Sequence, residues 1–197
     1  MTALSFDDLR ACLQDAFSAQ EKAVADWHQR EPSFASEMPA GETPEEFQEL
    51  ILRQHWSNFR LWHVEDRARR KDAGSELIAE CKYAIDKLNQ ERNDLIERLD
   101  LYLVRAFDPL LPAAPQGARA RHNTETIGVA LDRGSILALK TYHMQEQAER
   151  AGVAADFVAE CSRKLAVLTE QRADLCESVL DLVEDYSAGL KRPKVYY

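Results

Sequence analysis

The chain contains few residues that interrupt helices, few cysteines and no long hydrophobic run. Of its 197 residues only seven are glycine and seven are proline, which argues against a loop-rich or all-β fold and favours helices. The four cysteines, Cys12, Cys81, Cys161 and Cys176, include no CxxC or other close pair. This spacing excludes a disulfide framework and a zinc ribbon, and it is typical of reduced thiols.

Targeting signals and membrane spans are also lacking. No apolar run approaches the roughly 18 residues that a membrane span requires. The acidic residues Asp7 and Asp8, close to the N-terminus, do not fit a signal peptide. We therefore expect a soluble, cytoplasmic protein with no membrane partner.

The chain has no surplus of positive charge. Its formal net charge is -9 at pH 7, which disfavours neutralisation of DNA or RNA phosphates, so we expect no nucleic acid as a partner. The sequence also contains no glycine-rich phosphate loop and no dinucleotide-binding fingerprint. We accordingly predict no cofactor.

What the chain does contain is helix-forming sequence divided by a few turn signals. Ser5, which precedes two acidic residues, and the segment Thr43–Glu46, with its proline and two acids, are typical helix starts. Gly189 is expected to cap the last helix. The pattern predicts one all-α domain whose parts are an N-terminal accessory helix and loop (1–42), a first helical hairpin (43–106), a connector (107–124), a second hairpin (125–190) and a basic tail (191–197).

Short turns within each hairpin predict that the paired helices are antiparallel. The expected architecture is an up-down-up-down four-helix bundle made from two repeated hairpins, with the first helix packed outside it or across one end. The expected helices cover about residues 5–30, 43–70, 75–106, 125–151 and 155–188.

The two hairpins repeat one another in sequence. Residues 58–99 align without a gap with residues 138–179, and this alignment matches His63 with His143 and Arg92 with Arg172. A repeat of this length indicates a helical hairpin that is used twice around a pseudo-two-fold axis.

Arg92 and Arg172 interrupt two apolar helix seams at the same place. Leu88 and Leu95 flank Arg92, and Leu168 and Leu175 flank Arg172, with the alternating spacing that antiparallel helices bury. A buried guanidinium without a partner is costly, so we expect an acidic side chain to face each arginine.

Polar residues also recur on one face of the second and fourth helices. His63 and Asp66 are three residues apart and are matched by His143 and Glu146. A histidine beside a carboxylate is an oriented imidazole, suited to act as a base or a metal ligand. Three interpretations are open: arginine–acid pairs that lock the hairpins together, a small-anion site in the bundle centre, and a metal site.

The metal interpretation has two forms. In one, His63 and His143 join Cys81 and Cys161 in a tetrahedral site. In the other, carboxylates hold a divalent ion, as the EExxE and ExxD motifs of all-helical nucleotide pyrophosphohydrolases do. The two motifs are much further apart in this chain than in those enzymes. We predict no bound metal, and the carboxylates that would serve a metal-dependent hydrolase are Glu65, Asp66, Glu91 and Asp94.

Three segments resemble a bacterial family known as domain of unknown function 4254. They are Asn58–Asp66 (NFRLWHVED), Ile85–Asp94 and Asp132–Met144, within a resemblance that covers residues 43–194, and Gly134 departs from the apolar residue expected there. The resemblance implies no activity. If the family's motif residues form a site, the matching positions are His55, Asn58, Trp62, His63, Glu65, Asp66, Asn89, Gln90, Arg92, Asn93, Asp94, Asp132, Arg133, His143 and Arg172.

We predict a protein that binds a small anionic ligand or a protein partner through a polar layer in the bundle, because arginine forks suit phosphate and carboxylate groups. The alternatives are the metal-dependent hydrolase and a purely structural scaffold, and the sequence does not decide whether the protein is an enzyme. A homodimer is expected if the first helix leaves an apolar stripe exposed. The predicted ligand-binding residues are His55, Asn58, Trp62, His63, Asp66, Asn89, Arg92, Asp132, Arg133, His143 and Arg172.

Overall fold

The computed structural model describes residues 4–113 and 121–195, which form five α-helices. Residues 1–3, 114–120 and 196–197 of the predicted N-terminal part, connector and tail lie outside the described residues. The predicted all-α fold is confirmed, and the helix bounds agree with the expected ones to within a few residues. The helices are α1 (Phe6–Gln29), α2 (Pro44–Ala68), α3 (Ser75–Phe107), α4 (Ile127–Ala148) and α5 (Ala155–Ser187), and a 3-10 turn (Asp108–Leu110) follows α3.

Capping residues determine where the helices begin and end. The Ser5 hydroxyl accepts a hydrogen bond from Asp8 N at 3.1 Å, and the Asp8 carboxylate accepts one from Ser5 N at 2.8 Å. At the start of α2, Thr43 Oγ1 accepts a hydrogen bond from Glu46 N at 3.2 Å. Gly189 follows α5 with a φ of 70°, a conformation that glycine adopts without strain. Both predicted helix starts and the predicted glycine cap are confirmed.

Helix α1 is an integral part of the core. Helices α2 and α3 pack together as one hairpin and α4 and α5 as another, while α1 packs against α2, α4 and α5. Eight residues of α1 are buried. The apolar face of α1 thus packs against both hairpins, whereas the up-down-up-down arrangement of the other four helices, with α1 outside it or across one end, stays a prediction. The buried residues are Leu9, Leu13, Ala16, Phe17, Gln20, Ala23, Val24 and Trp27.

The apolar core has a larger and a smaller cluster. The larger contains Leu13, Phe47 and Leu99 among others. The smaller is rich in aromatic side chains and is built around Trp27 and Phe59, with further aromatic residues packed against it. The polar groups described below lie close to this smaller cluster, because the Trp27 ring contacts the ring of His55 at a centroid distance of 4.8 Å.

Two buried glycines allow α4 to approach its neighbours closely. A Cβ atom at Gly134 would lie 2.5 Å from Phe17 Cε1, and one at Gly128 would lie 2.6 Å from Asp100 Oδ1. Both distances are too short for close-packed side chains. The departure from the family pattern at Gly134 therefore has a structural reason: α1 crosses α4 there, and α4 continues through this position.

None of the described helices is both long enough and apolar enough to cross a membrane. The apolar stripe on α1 that would indicate a homodimer is not seen in the described part of the chain, and homodimerisation stays a prediction. The large apolar side chains that are exposed there are Met38, Ile78, Tyr83, Phe157, Val167 and Leu190.

Candidate functional site

The predicted site residues fall into separate places, and the largest group surrounds the Asp132 carboxylate between α2, α3 and α4. Asp132 Oδ1 accepts hydrogen bonds from Gln54 Nε2 at 2.6 Å and Asn58 Nδ2 at 2.9 Å. Asp132 Oδ2 accepts one from Arg92 Nη2 at 3.0 Å, and Arg92 Nη1 also donates to Asn89 Oδ1 at 3.3 Å. This group, termed the Asp132 layer, consists of Gln54, His55, Asn58, Asn89, Arg92, Asp132 and Ser135.

Ser135 extends the layer to His55. The Ser135 hydroxyl oxygen lies 2.8 Å from Asn58 Nδ2 and 2.6 Å from His55 Nδ1. His55 is fully buried, and this burial lowers the pKa of its imidazole to about 3. The His55 ring is therefore neutral at pH 7, and its contacts are hydrogen bonds within the core.

Each of the two repeat-related arginines has an acidic partner, as predicted, but the partners are not equivalent. Arg92 forms an ion pair with Asp132, with Nε and Oδ1 2.9 Å apart. Arg172 forms an ion pair with Glu21 at 3.1 Å and donates a hydrogen bond to the Phe17 carbonyl oxygen. Both partners of Arg172 belong to α1, whereas Asp132 belongs to α4. The two guanidinium groups thus engage different helices.

A second polar group, termed the histidine cluster, consists of His28, His63 and His143 and lies where α1, α2 and α4 meet. The ring centroid of His28 is 5.1 Å from that of His63 and 5.0 Å from that of His143, and the latter two centroids are 5.7 Å apart. Ring nitrogens of the three residues lie within 4.8 Å of one another. Among the described residues this is the only such group of three or more histidine, cysteine or acidic side chains.

Hydrogen bonds at Nδ1 orient two of the three imidazoles. His28 Nδ1 lies 2.7 Å from the Val24 carbonyl oxygen, and His143 Nδ1 lies 2.8 Å from Glu146 Oε2. A carbonyl oxygen and an ionised carboxylate can only accept, so each Nδ1 carries a proton, and in this tautomer of imidazole the lone pair is at Nε2. Both Nε2 atoms are buried and have no hydrogen-bond partner among the described residues.

His63 completes the cluster, and among the described residues no acidic side chain forms a hydrogen bond or ion pair with it, although Asp66 and Glu146 lie near enough to oppose the lowering of its pKa. Burial and the two neighbouring imidazoles lower the pKa of His63. The predicted pairing of a histidine with an acid three residues later is confirmed for His143 and Glu146. In the first hairpin, Asp66 instead forms an ion pair with Arg69 at 3.4 Å.

Aromatic side chains fix the planes of the histidine rings. Trp62 stacks on His143 with ring centroids 4.7 Å apart and an interplanar angle of 8°. Tyr142 stacks on His28 with a centroid distance of 4.4 Å and an angle of 19°. Since stacked rings resist rotation, these contacts restrict the directions in which the two Nε2 lone pairs point.

An open cleft with a volume of about 720 Å³ adjoins the histidine cluster. His143 belongs to the cluster and lines the cleft, and Trp62, which stacks on His143, also lines the cleft. Its wall is largely apolar and includes Met144, Val167 and Leu168. Polar residues of the cleft are Asp66, Gln147, Gln171 and three cations, Lys140, Arg163 and Lys164. Arg163 and Lys164 both contact Glu160, whereas Lys140 has no ion pair with any described residue.

The other candidate metal ligands do not gather. Cys81 and Cys161 are buried, but within residues 4–113 and 121–195 neither they nor the four candidate carboxylates form a group of three close ligand atoms. Glu65 and Asp66 pair with Arg69, Glu91 pairs with Arg60, and Asp94 accepts a hydrogen bond from Gln90.

Sequence reasoning missed His28 and the three cations of the cleft. His28 lies on α1, outside the repeat that singled out the other two histidines. A signal was present, because Gln20, Val24 and His28 follow one another at intervals of four along the buried face of α1. Of the remaining predicted residues, Arg133 pairs with Glu125 on the surface at 2.8 Å.

Comparison with known proteins gives a family but no activity. A family model described as "Protein of unknown function (DUF4254)" matches residues 48–195. That span includes His63 and His143 and excludes His28. No curated protein and no solved structure matches the chain.

Proposed function

The chain belongs to the DUF4254 family, whose description gives no activity, and we propose from its geometry that it binds a small organic anion in the cleft. The observation that carries this proposal is a cleft of about 720 Å³ that combines an apolar wall with three cations. Clefts of roughly 300–1,000 Å³ are typical of small-molecule sites. The ligand class that fits is an apolar or aromatic body with a carboxylate, phosphate or sulfonate group.

The charges of the cleft support an anion. Lys140 projects an ammonium group that has no ion pair with a described residue, and Arg163 and Lys164 share the single carboxylate of Glu160. Asp66, the acid of the lining, is engaged by Arg69. A bound anion would therefore gain charge-assisted hydrogen bonds, while its apolar body would cover the wall.

The Asp132 layer, where the sequence suggested an anion, is a weaker candidate. Its arginine, Arg92, is already paired with Asp132, whose two oxygens accept three side-chain hydrogen bonds. An anion in the layer would have to displace this carboxylate from a buried position. The pairing instead joins α3 of the first hairpin to α4 of the second, which favours a structural role for the layer.

Binding of 8-anilinonaphthalene-1-sulfonate, an aromatic sulfonate that fluoresces in apolar sites, tests the proposal. We expect saturable binding of one probe per chain. Lys140→Gln should weaken this binding by up to about fivefold, because one exposed charge pair contributes up to about 1 kcal/mol. Val167→Glu, which places a negative charge on the apolar wall, should abolish it. Lys87→Gln, which removes an exposed lysine on α3, is the matched control and should bind as the parent does.

Two results would contradict the proposal. One is binding that Lys140→Gln and Val167→Glu leave unchanged, which would place the probe elsewhere. The other is the absence of saturable binding, with phenyl phosphate and octanoate also producing no change in Trp fluorescence. If an acidic polypeptide binds in the cleft and none of the small anions does, the alternative of a protein partner is favoured.

A further inference from the structure

The histidine cluster has acceptors without donors. His28 and His143 each present a buried Nε2 lone pair, and no described residue donates a hydrogen bond to either atom. A buried polar atom without a partner costs stability. Aromatic packing alone does not require this cost, because a phenylalanine would fill the same space without a polar atom.

A cation would satisfy these lone pairs together. We propose that His28, His63 and His143 bind one divalent transition-metal ion, with Zn²⁺ as the reference ion. Of the three ligands only His143 also lines the cleft, so the metal site and the proposed anion site share one residue. The tests below use Zn²⁺ without any cleft ligand, and their outcome therefore does not depend on the occupant of the cleft.

The distances are compatible with metal binding after a small contraction. Ring nitrogens of the three residues lie within 4.8 Å of one another. Zn–N bonds of about 2.0–2.1 Å in tetrahedral geometry place the nitrogens about 3.3 Å apart, so each would move inward by on the order of 1 Å or less.

The surroundings of the cluster match those of metal-binding histidines. A ligating histidine generally donates its other ring N–H to a carboxylate or a backbone carbonyl, which fixes its tautomer. His143 meets Glu146 in this way, and His28 meets the Val24 carbonyl oxygen. These two hydrogen bonds orient the ring nitrogens before any metal arrives.

The donor set determines the class of ion. Three neutral imidazoles suit Zn²⁺, Co²⁺, Ni²⁺ or Cu²⁺, whereas Mg²⁺ and Ca²⁺ require oxygen ligands. Three protein ligands also leave a fourth tetrahedral position for water or another small ligand. The site is therefore distinct from the carboxylate site considered for a hydrolase.

Metal titration of the full chain after removal of metal with EDTA tests the site. We expect one Zn²⁺ per chain by calorimetry, an intensified visible absorption for Co²⁺, and no comparable binding of Mg²⁺. Glu146→Gln should weaken Zn²⁺ binding by about 10- to 100-fold because it removes the orienting acceptor, and His63→Gln should weaken binding further. Glu149→Gln, at the residue that follows α4, and His122→Gln, at an exposed histidine, are the matched controls and should bind as the parent does.

A readout on the unaltered protein guards against variants that fail to fold. In long-range ¹H–¹⁵N NMR spectra, Zn²⁺ should shift the Nε2 resonances of His28 and His143 and leave those of His55 and His122 in place. The proposal is overturned if these shifts are absent or occur only at His122. It is also overturned if folded His63→Gln binds Zn²⁺ as tightly as the parent.

Discussion

The Asp132 layer and the histidine cluster are both polar groups within the helical core, and they differ in how their atoms are partnered. The Asp132 carboxylate accepts hydrogen bonds from three side chains and is paired with Arg92. In the cluster, Nε2 of His28 and of His143 is buried with no partner in the described part of the chain. A partnered group stabilises the fold, whereas an unpartnered one destabilises it. The layer also contains buried atoms without a hydrogen-bond partner among the described residues, namely Gln54 Oε1, His55 Nε2 and Arg92 Nε, but its charged groups, Arg92 and Asp132, are paired. In the cluster, by contrast, three potential ligand atoms lie within 4.8 Å of one another. We therefore propose a structural role for the layer and a ligand for the cluster.

Removal of the layer's central carboxylate should produce the largest effect. Asp132→Ala leaves Arg92 without its ion-pair partner and the buried Gln54 amide without an acceptor, and it removes one of the two acceptors of Asn58. The free energy of unfolding should therefore fall by about 3–5 kcal/mol. Urea unfolding measures this loss. Asp174→Ala, at an exposed position on α5, should change stability by no more than about 0.5 kcal/mol. A loss below 1 kcal/mol for Asp132→Ala would remove the distinction between the two groups.

A smaller loss should follow when α1 is pushed away from α4. In Gly134→Ala the new Cβ would lie 2.5 Å from Phe17 Cε1, and overpacking of this kind costs about 1–3 kcal/mol. Gly74→Ala, where a Cβ would meet nothing within 4 Å, should cost less than about 1 kcal/mol. Because α1 carries His28, Gly134→Ala should also weaken Zn²⁺ binding. Equal stability of the two variants in thermal melts would contradict the close α1–α4 contact.

Because His55, a residue of the Asp132 layer, is neutral in the folded protein, the free energy of unfolding should depend on pH. The pKa of His55 is about 3 in the folded protein and about 6.5 in the unfolded chain. Below pH 6.5 the unfolded chain binds the extra proton, so stability falls with pH from about 6.5 down to 3, by about 2 kcal/mol between pH 7 and pH 5. His55→Gln should lack this part of the slope, and His122→Gln should keep it. Identical slopes for parent and His55→Gln would show that the ring is protonated in the core.

The smallest effect on stability is expected in the cluster. His63→Phe keeps a ring against Phe59 and His28, whose centroids lie 4.5 Å and 5.1 Å from that of His63, and it removes no hydrogen bond. Without metal, its free energy of unfolding should differ from that of the parent by less than about 1 kcal/mol. A larger loss of free energy of unfolding, measured with urea, would mean that His63 stabilises the fold.

The fold could be predicted largely because its determinants are local. Ser5, Thr43, Pro44 and Gly189 act within one helical turn, and their effects on helix ends are readable in the sequence. The position of α1 could not be predicted from the repeat, because that helix has no counterpart in it. Its place between the hairpins depends on long-range packing, such as Phe17 against Gly134.

The site was predictable only in part, for the same reason. The repeat identified His63 and His143, and the expectation that acids face both arginines was correct. The repeat could not show that the partners of Arg172 belong to α1, nor that His28 lies beside the other two histidines. The cleft cations lie on exposed helix faces, where their sequence pattern is that of an ordinary solvated surface.

Thermal unfolding with and without Zn²⁺, on Asp132→Ala and His63→Phe side by side, tests the assignment most directly. At a Zn²⁺ concentration of about 100 times Kd, a bound ion stabilises by about 2.7 kcal/mol, a rise in Tm of several degrees. We expect Asp132→Ala to melt well below the parent and to keep this rise, and His63→Phe to melt near the parent and to lose it. A His63→Phe variant that keeps the rise, or an Asp132→Ala variant as stable as the parent, would contradict the division between a structural layer and a metal-binding cluster.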